Sequence, residues 1–211
     1  MINKDNISIE AFKASPVVKD KGKQRNRKTH LEYALAETCI TGSVLEFGVF
    51  QGTTINIISQ CFQDETVWGF DSFEGLPEDW LTTNNGVDWP KGHFNVDNLP
   101  IVNSNVKLVK GWFDQTLPSW VANHKQPIKF LHIDCDLYSS AYTVLTLLNK
   151  QIVPGTVIVF DELYRWDKPK RYELWAEGEY KALAEWTSKL DRGFEILSIN
   201  GYMQSAIRML E

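Results

Sequence analysis

Five short apolar runs, separated by longer segments with helical spacing, dominate the middle of the chain. The runs are Val44–Phe47, Thr66–Phe70, Val106–Lys110, Phe130–Asp134 and Thr156–Phe160, and Thr53–Phe62, Thr116–His124 and Ala141–Asn149 read as helices between them. This alternation is the pattern of parallel strands joined by crossover helices. Ahead of it, Leu31–Cys39 has helical spacing and stops at Thr41-Gly42. The C-terminal part breaks the alternation: Tyr172–Leu190 predicts one long amphipathic helix, and FEILSI and MQSAIRML then flank Asn200-Gly201, a strong short-hairpin signal. The expected fold is α/β and Rossmann-like: a seven-stranded, mostly parallel sheet ending in an antiparallel hairpin.

With 211 residues, 43% of them hydrophobic and 12% aromatic, the chain has material for one substantial core. The polar stretch 1–29 reads as an N-terminal arm or loosely docked helix, and 30–211 as the folded domain. A net charge of -5 argues against a general nucleic-acid binder, which needs clustered positive charge. Locally, Lys19, Lys21, Lys23, Arg25, Arg27 and Lys28 form a basic run that suits either phosphates or an acidic partner, or is only a solvated arm. No run approaches the roughly 20 apolar residues that cross a bilayer, and the first ten residues lack a signal-peptide core, so the cytoplasm is expected. Cys39, Cys61 and Cys135 are too far apart for a thiolate metal motif and read as buried thiols.

The segment VLEFGVFQGTT places Glu46, Gly48 and Gly52 between a predicted strand and a predicted helix. Gly48 permits a tight turn and close ligand approach, and Gly52 permits close packing at the helix start. The GxGxxG spacing of a dinucleotide site is absent. The next strand ends in Asp71, about 25 residues after Glu46, the separation expected of an acid that accepts from ribose hydroxyls. A carboxylate in the turn suits a sulfonium better than a pyrophosphate, which favours S-adenosylmethionine over NAD.

LEFGVFQGTT, GFDSFEGLPEDW, VKGWFDQTLP, FLHIDCDLYSSAYTVL and PGTVIVFDELY resemble, in this order, the signature blocks of the macrocin O-methyltransferase (TylF/MycF-like) family of class I methyltransferases. The resemblance implies S-adenosylmethionine binding at Glu46, Phe47, Gly48, Gly52, Thr53 and Asp71, with Ser72 and Phe73 near the adenosyl group and Gly111 and Trp112 near the adenine; Asp134 joins the same site. It also implies a small-molecule, sugar-like acceptor with vicinal hydroxyls held on a metal.

Independently, the alternation of FLHIDCD puts His132, Asp134 and Asp136 on one face, and TVIVF ends in Asp161-Glu162. Carboxylates converging at adjacent strand ends repel unless a cation sits among them, and all-oxygen ligation suits Mg²⁺ or a similar ion. Asp134, Asp161 and Glu162 are the expected ligands, although the family's second acid is an aspartate where this chain has Glu162. Asp134 or Asp136 is the expected catalytic base, with His93 and His132 as weaker candidates and helix capping as the other reading of Asp136. Two aromatic-rich connections, Leu76–Leu99 and Tyr164–Trp175, are expected to wall the acceptor pocket or to form an interface between copies of the chain.

Overall fold

A computed structural model describes residues 8–18 and 27–210. Seven strands, β1 (Ser43–Phe47), β2 (Val67–Asp71), β3 (Val106–Lys110), β4 (Ile128–Ile133), β5 (Ile152–Phe160), β6 (Phe194–Ile199) and β7 (Ser205–Met209), form one sheet in the order β3-β2-β1-β4-β5-β7-β6. The first five are parallel; β7 runs antiparallel to both β5 and β6. Every residue of β1 and β4 is buried, and the two strands are apolar apart from Ser43, Glu46, Lys129 and His132. Six helices, α1 (Ile9–Lys13), α2 (Arg27–Ala36), α3 (Thr53–Cys61), α4 (Phe113–Asn123), α5 (Tyr138–Leu147) and α6 (Glu179–Leu190), complete the described fold.

Helices α4, α5 and α6 pack on one face of the sheet over Phe47, Phe70, Leu131 and Phe160, and α2 and α3 pack on the other over Val44, Val67, Phe130 and Val159. The chain order reverses between β1 and β4, and a crevice opens beyond the carboxyl ends of strands at such a point.

Two C-terminal expectations are corrected. The segment Tyr172–Leu190 is not one helix: short 3₁₀ turns occupy Pro169–Arg171 and Trp175–Glu177, and α6 begins only at Glu179. The reason is tertiary. Tyr172 is buried in a cluster with Leu76, Trp80, Leu137 and Met203, and a Cβ at Gly178 would stand 2.3 Å from the Tyr172 hydroxyl, so the chain bends there instead of coiling. The Asn200-Gly201 pair does not make a two-residue turn either. The Asn200 side-chain oxygen accepts from the N–H groups of Tyr202, Met203 and Gln204 at 2.8, 3.0 and 3.0 Å, and the Asn200 N–H donates to the Gln204 carbonyl, closing a wider loop.

Part of the polar arm is docked. The Ser8 hydroxyl caps α1, Phe12 is buried between Trp166 and Phe194, and Pro16–Val18 run alongside Ile199, bonded to it in both directions at 2.9 Å. Lys19, Lys21, Lys23 and Arg25 of the basic run lie outside the described residues. Among the described residues no helix is long and apolar enough to cross a membrane. Phe12→Ala is expected to cost about 3–5 kcal/mol in urea unfolding, the usual range for deleting a buried ring; a loss under about 1 kcal/mol would mean that α1 contributes nothing to the fold.

Candidate active site at the sheet switch point

The turn after β1 is fixed by a backbone contact. Gly48 has φ of 92°, and a Cβ there would stand 1.7 Å from the Asp134 carbonyl oxygen, so no other residue fits. The Gly48 N–H donates to Phe70 O at 3.0 Å and the Asp134 N–H to Phe47 O at 2.9 Å, tying the ends of β2, β1 and β4 together. Asp71 completes the turn. Its Oδ2 accepts from the Val49 and Phe50 N–H groups, both at 2.8 Å, and its Oδ1 from Phe73 at 2.7 Å. The carboxylate first organises the loop and retains acceptor capacity on Oδ1 for a ligand.

A cavity of about 1200 Å³ opens over these strand ends, and Gly48, Thr53, Asp71, Ser72, Trp112, Asp134, Asp136 and Glu162 stand on its wall. The other sequence candidates lie behind it. Phe47 stacks on Phe70 at 4.7 Å, Phe73 is buried in the core, Gly52 caps α3, and the Gly111 N–H donates to Asp71 O at 2.9 Å. Glu46 is fully buried one layer below, where Oε1 shares a 2.8 Å hydrogen bond with His132 Nδ1. His132 Nε2 lies 3.5 Å from Asp161, which accepts from Gln204 Nε2; Gln204 in turn reaches the buried His30. Burial lowers both histidines to about 4, so they are neutral, and raises Glu46 to about 8, against the opposing pull of the Thr54 hydroxyl and Arg27.

The acidic cluster differs in detail from the expected set. Asp134, Asp136 and Glu162 each bring a carboxylate oxygen within 4.8 Å of the others, whereas Asp161 groups with His132 and Asp134. Asp136 thus joins Asp134 and Glu162 in one group, while Asp161 shares Asp134 with His132 in a second. Asp136 is not a helix cap: the cap of α5 is Leu137, and Asp136 itself sits at φ of 63°, a left-handed conformation that costs an aspartate on the order of 1 kcal/mol. Burial, reinforced by Asp134, raises its pKa to about 8; burial likewise raises Asp134 and Glu162.

Two charged residues at the site escaped sequence reading. Arg27 reaches Asp134, Asp161 and Glu162 from α2. Glu179, the buried first residue of α6, accepts from the backbone N–H groups of Cys135 and Glu162 at 3.4 and 3.1 Å and so ties α6 to the ends of β4 and β5. The helix expected over Tyr172–Leu190 placed Glu179 in its interior with nothing to mark it, and only the basic run marked Arg27.

Both aromatic connections face the cavity. Trp80 and Trp89 exchange backbone hydrogen bonds at 2.8 and 3.1 Å, and Trp89 and Phe94 line the opening, with His93 packed between their rings rather than on the wall. Arg165, Lys170, Arg171, Tyr172, Tyr202 and Met203 also line the cavity, and Tyr172, Tyr202 and Met203 pack with Trp80 and Phe94.

This sheet order and reversed final strand are those of a class I methyltransferase. The O-methyltransferase NovP superposes with a TM-score of 0.66 at 21% identity, covering 88% of this chain and 80% of its own; the calicheamicin methyltransferase CalS11 gives 0.66 at 22%, covering 87% and 80%. Residues 21–191 match the macrocin O-methyltransferase (TylF) family, and the chain belongs to that family. It is similar to demethyldecarbamoylnovobiocin O-methyltransferase of Streptomyces niveus, 25% identical over 180 residues, 76% of this chain and 64% of the relative. Mycinamicin III 3''-O-methyltransferase of Micromonospora griseorubida is 25% identical over 161 residues, 66% of this chain and 62% of the relative. The chain therefore spans just under two thirds of the length of these relatives.

The buried carboxyls set a pH dependence. Glu46 and Asp136 titrate near 8 when folded, above ordinary values of 4.5 and 3.8, so the folded chain keeps protons the unfolded chain has lost, and stability falls as pH rises through that window. The neutral histidines work in the opposite sense, but only below their ordinary 6.5. From pH 6.5 to 8 the carboxyls decide, and Tm of the metal-free protein falls. Glu46→Gln is expected to remove up to about 1.4 kcal/mol per pH unit of this slope; an unchanged slope in calorimetric scans counts against a buried, protonated Glu46.

Proposed function

We propose that the chain is a cytoplasmic enzyme that transfers a methyl group from S-adenosylmethionine to a hydroxyl of a small, sugar-like or natural-product acceptor, with a divalent cation such as Mg²⁺ at the acidic cluster. The observation that carries this reading is the juxtaposition, on one cavity wall, of the Gly48 turn with Asp71 and the convergent carboxylates of Asp134, Asp136 and Glu162. The cavity, at about 1200 Å³, exceeds the roughly 300–1,000 Å³ typical of a one-ligand pocket and suits two ligands side by side. Family membership and the hydroxyl chemistry in the names of the two relatives support the same reading.

S-adenosylmethionine, when bound, supplies the methyl group on a sulfonium. Asp71 would accept from a ribose hydroxyl through its remaining lone pair, with Ser72 and Trp112 beside the adenosyl group. Glu46 would act from beneath by fixing His132 in the floor.

The cluster fits a hard cation: its donors are all carboxylate oxygens, burial raises the pKa of each, and Glu162 Oε2 is buried with no hydrogen-bond partner among the described residues. Asp134, Asp136 and Glu162 would hold the ion, whose charge lowers the pKa of a nearby hydroxyl. Asp136 is suited to take the hydroxyl proton through a carboxylate oxygen that the ion leaves free, since it stands on the wall among the converging carboxylates. The aromatic connections would exclude water and hold acceptor and methyl in line.

The test combines calorimetry with S-adenosylmethionine and a labelled-methyl screen over sugars and glycosides. Asp136→Asn is expected to lower turnover by about 10²–10⁴-fold, the usual contribution of a general base, while cofactor affinity stays within a few-fold. Chelation with EDTA should depress turnover too. No heat with S-adenosylmethionine overturns the cofactor assignment, and full activity of Asp136→Asn overturns the base.

A further inference from the structure

Arg27 stands where the cluster calls for a cation. Its Nη1 is 3.4 Å from Asp134 Oδ2, its Nη2 bonds to Asp161 Oδ2, and Nη2 lies 3.6 Å from Glu162 Oε1. Local sequence gives no reason for this placement. Arg27 is the first described residue of α2, and the described turn around it contains no acid. The carboxylates are what hold the guanidinium in place. Their side chains are largely enclosed, with exposures of 3% for Asp161, 9% for Glu162 and 17% for Asp134, while Arg27 is 46% exposed and reaches in from the solvent side.

Two of its three partners, Asp134 and Glu162, also belong to the oxygen set that converges with Asp136. A guanidinium and a divalent ion on the same two carboxylates repel each other at contact distance, so the two occupants exclude one another. Asp161, the third partner, keeps its bond from Gln204 and is not stranded when the arginine leaves.

We propose that Arg27 is an internal counter-cation that competes with a divalent ion for Asp134 and Glu162, so that metal binding expels the arginine and loosens the start of α2. This inference rests on the cation site proposed above. By reciprocity, whatever holds Arg27 in place weakens metal binding by the same factor.

The experiment titrates the full chain with Mn²⁺ alone, followed by calorimetry and electron spin resonance, in wild type, Arg27→Gln, Arg27→Lys and Asp134→Asn. Arg27→Gln is expected to bind Mn²⁺ about tenfold tighter than wild type, within the usual range for coupled sites, and Arg27→Lys, which keeps the charge, to stay near wild type. Mn²⁺ bound equally or more weakly by Arg27→Gln, with binding lost in Asp134→Asn, overturns the competition and leaves the cation site standing. No Mn²⁺ binding by any variant overturns the cation site, and the competition with it. A measurement on wild type needs no substitution: Mn²⁺ should speed trypsin cleavage after Arg27, read by mass spectrometry, and unchanged or slower cleavage at that bond counts against the proposal.

Discussion

Where β1 ends, its backbone passes so close to that of β4 that the next residue can carry no side chain. The contact between Gly48 and the Asp134 carbonyl fixes the relative height of the two strand ends at which the sheet order reverses. Asp71 then holds the following turn by accepting from the Val49 and Phe50 N–H groups, and its own loop by accepting from Phe73, so that both border the cavity. Asp134 takes its position from the Gly48 approach, its carbonyl facing Gly48 while its carboxylate joins the cluster.

Below the wall, a second layer of polar groups is enclosed almost completely. Glu46 shares a hydrogen bond with His132, His132 Nε2 lies 3.5 Å from Asp161, and Gln204 bonds both Asp161 and His30, bringing together β1, β4, α2 and the residues beside β5 and β7. Such a network holds the ends of several elements in register only while its members keep their protonation states. Burial keeps the histidines neutral and favours a protonated Glu46. Glu179 does the same work from the far side, bonding the backbone of two strand ends from the first residue of α6.

The sheet is legible because short apolar runs alternate with helical segments, and even the half-exposed edge strand Val106–Lys110 has the bounds its run predicts. Asp71, Asp134, Asp136 and Glu162 were legible for a related reason: charges ending apolar runs are rare unless a site needs them. Arg27 was not, since it meets Asp161 across 134 residues of chain and carries no local mark beyond its basic neighbours. The long helix misread over Tyr172–Leu190 followed from amphipathic spacing, which cannot register that Tyr172 is buried against Leu76 and Met203 or that its hydroxyl crowds Gly178. Asn200-Gly201 misled in a similar way, because the Asn200 side chain takes three backbone donors and supports a wider loop than the dipeptide suggests.

The short run Pro16–Val18 has a consequence for the chain's behaviour in concentrated solution. It occupies part of the outer border of β6, where an unpaired strand would otherwise offer a template to a neighbouring molecule. At the opposite border, β3 presents the exposed lysines Lys107 and Lys110, and charge of this kind discourages strand addition. A sheet shielded at one margin and electrostatically guarded at the other resists growth by lateral stacking of strands, and a loss of α1 would remove the first of these two safeguards against aggregation.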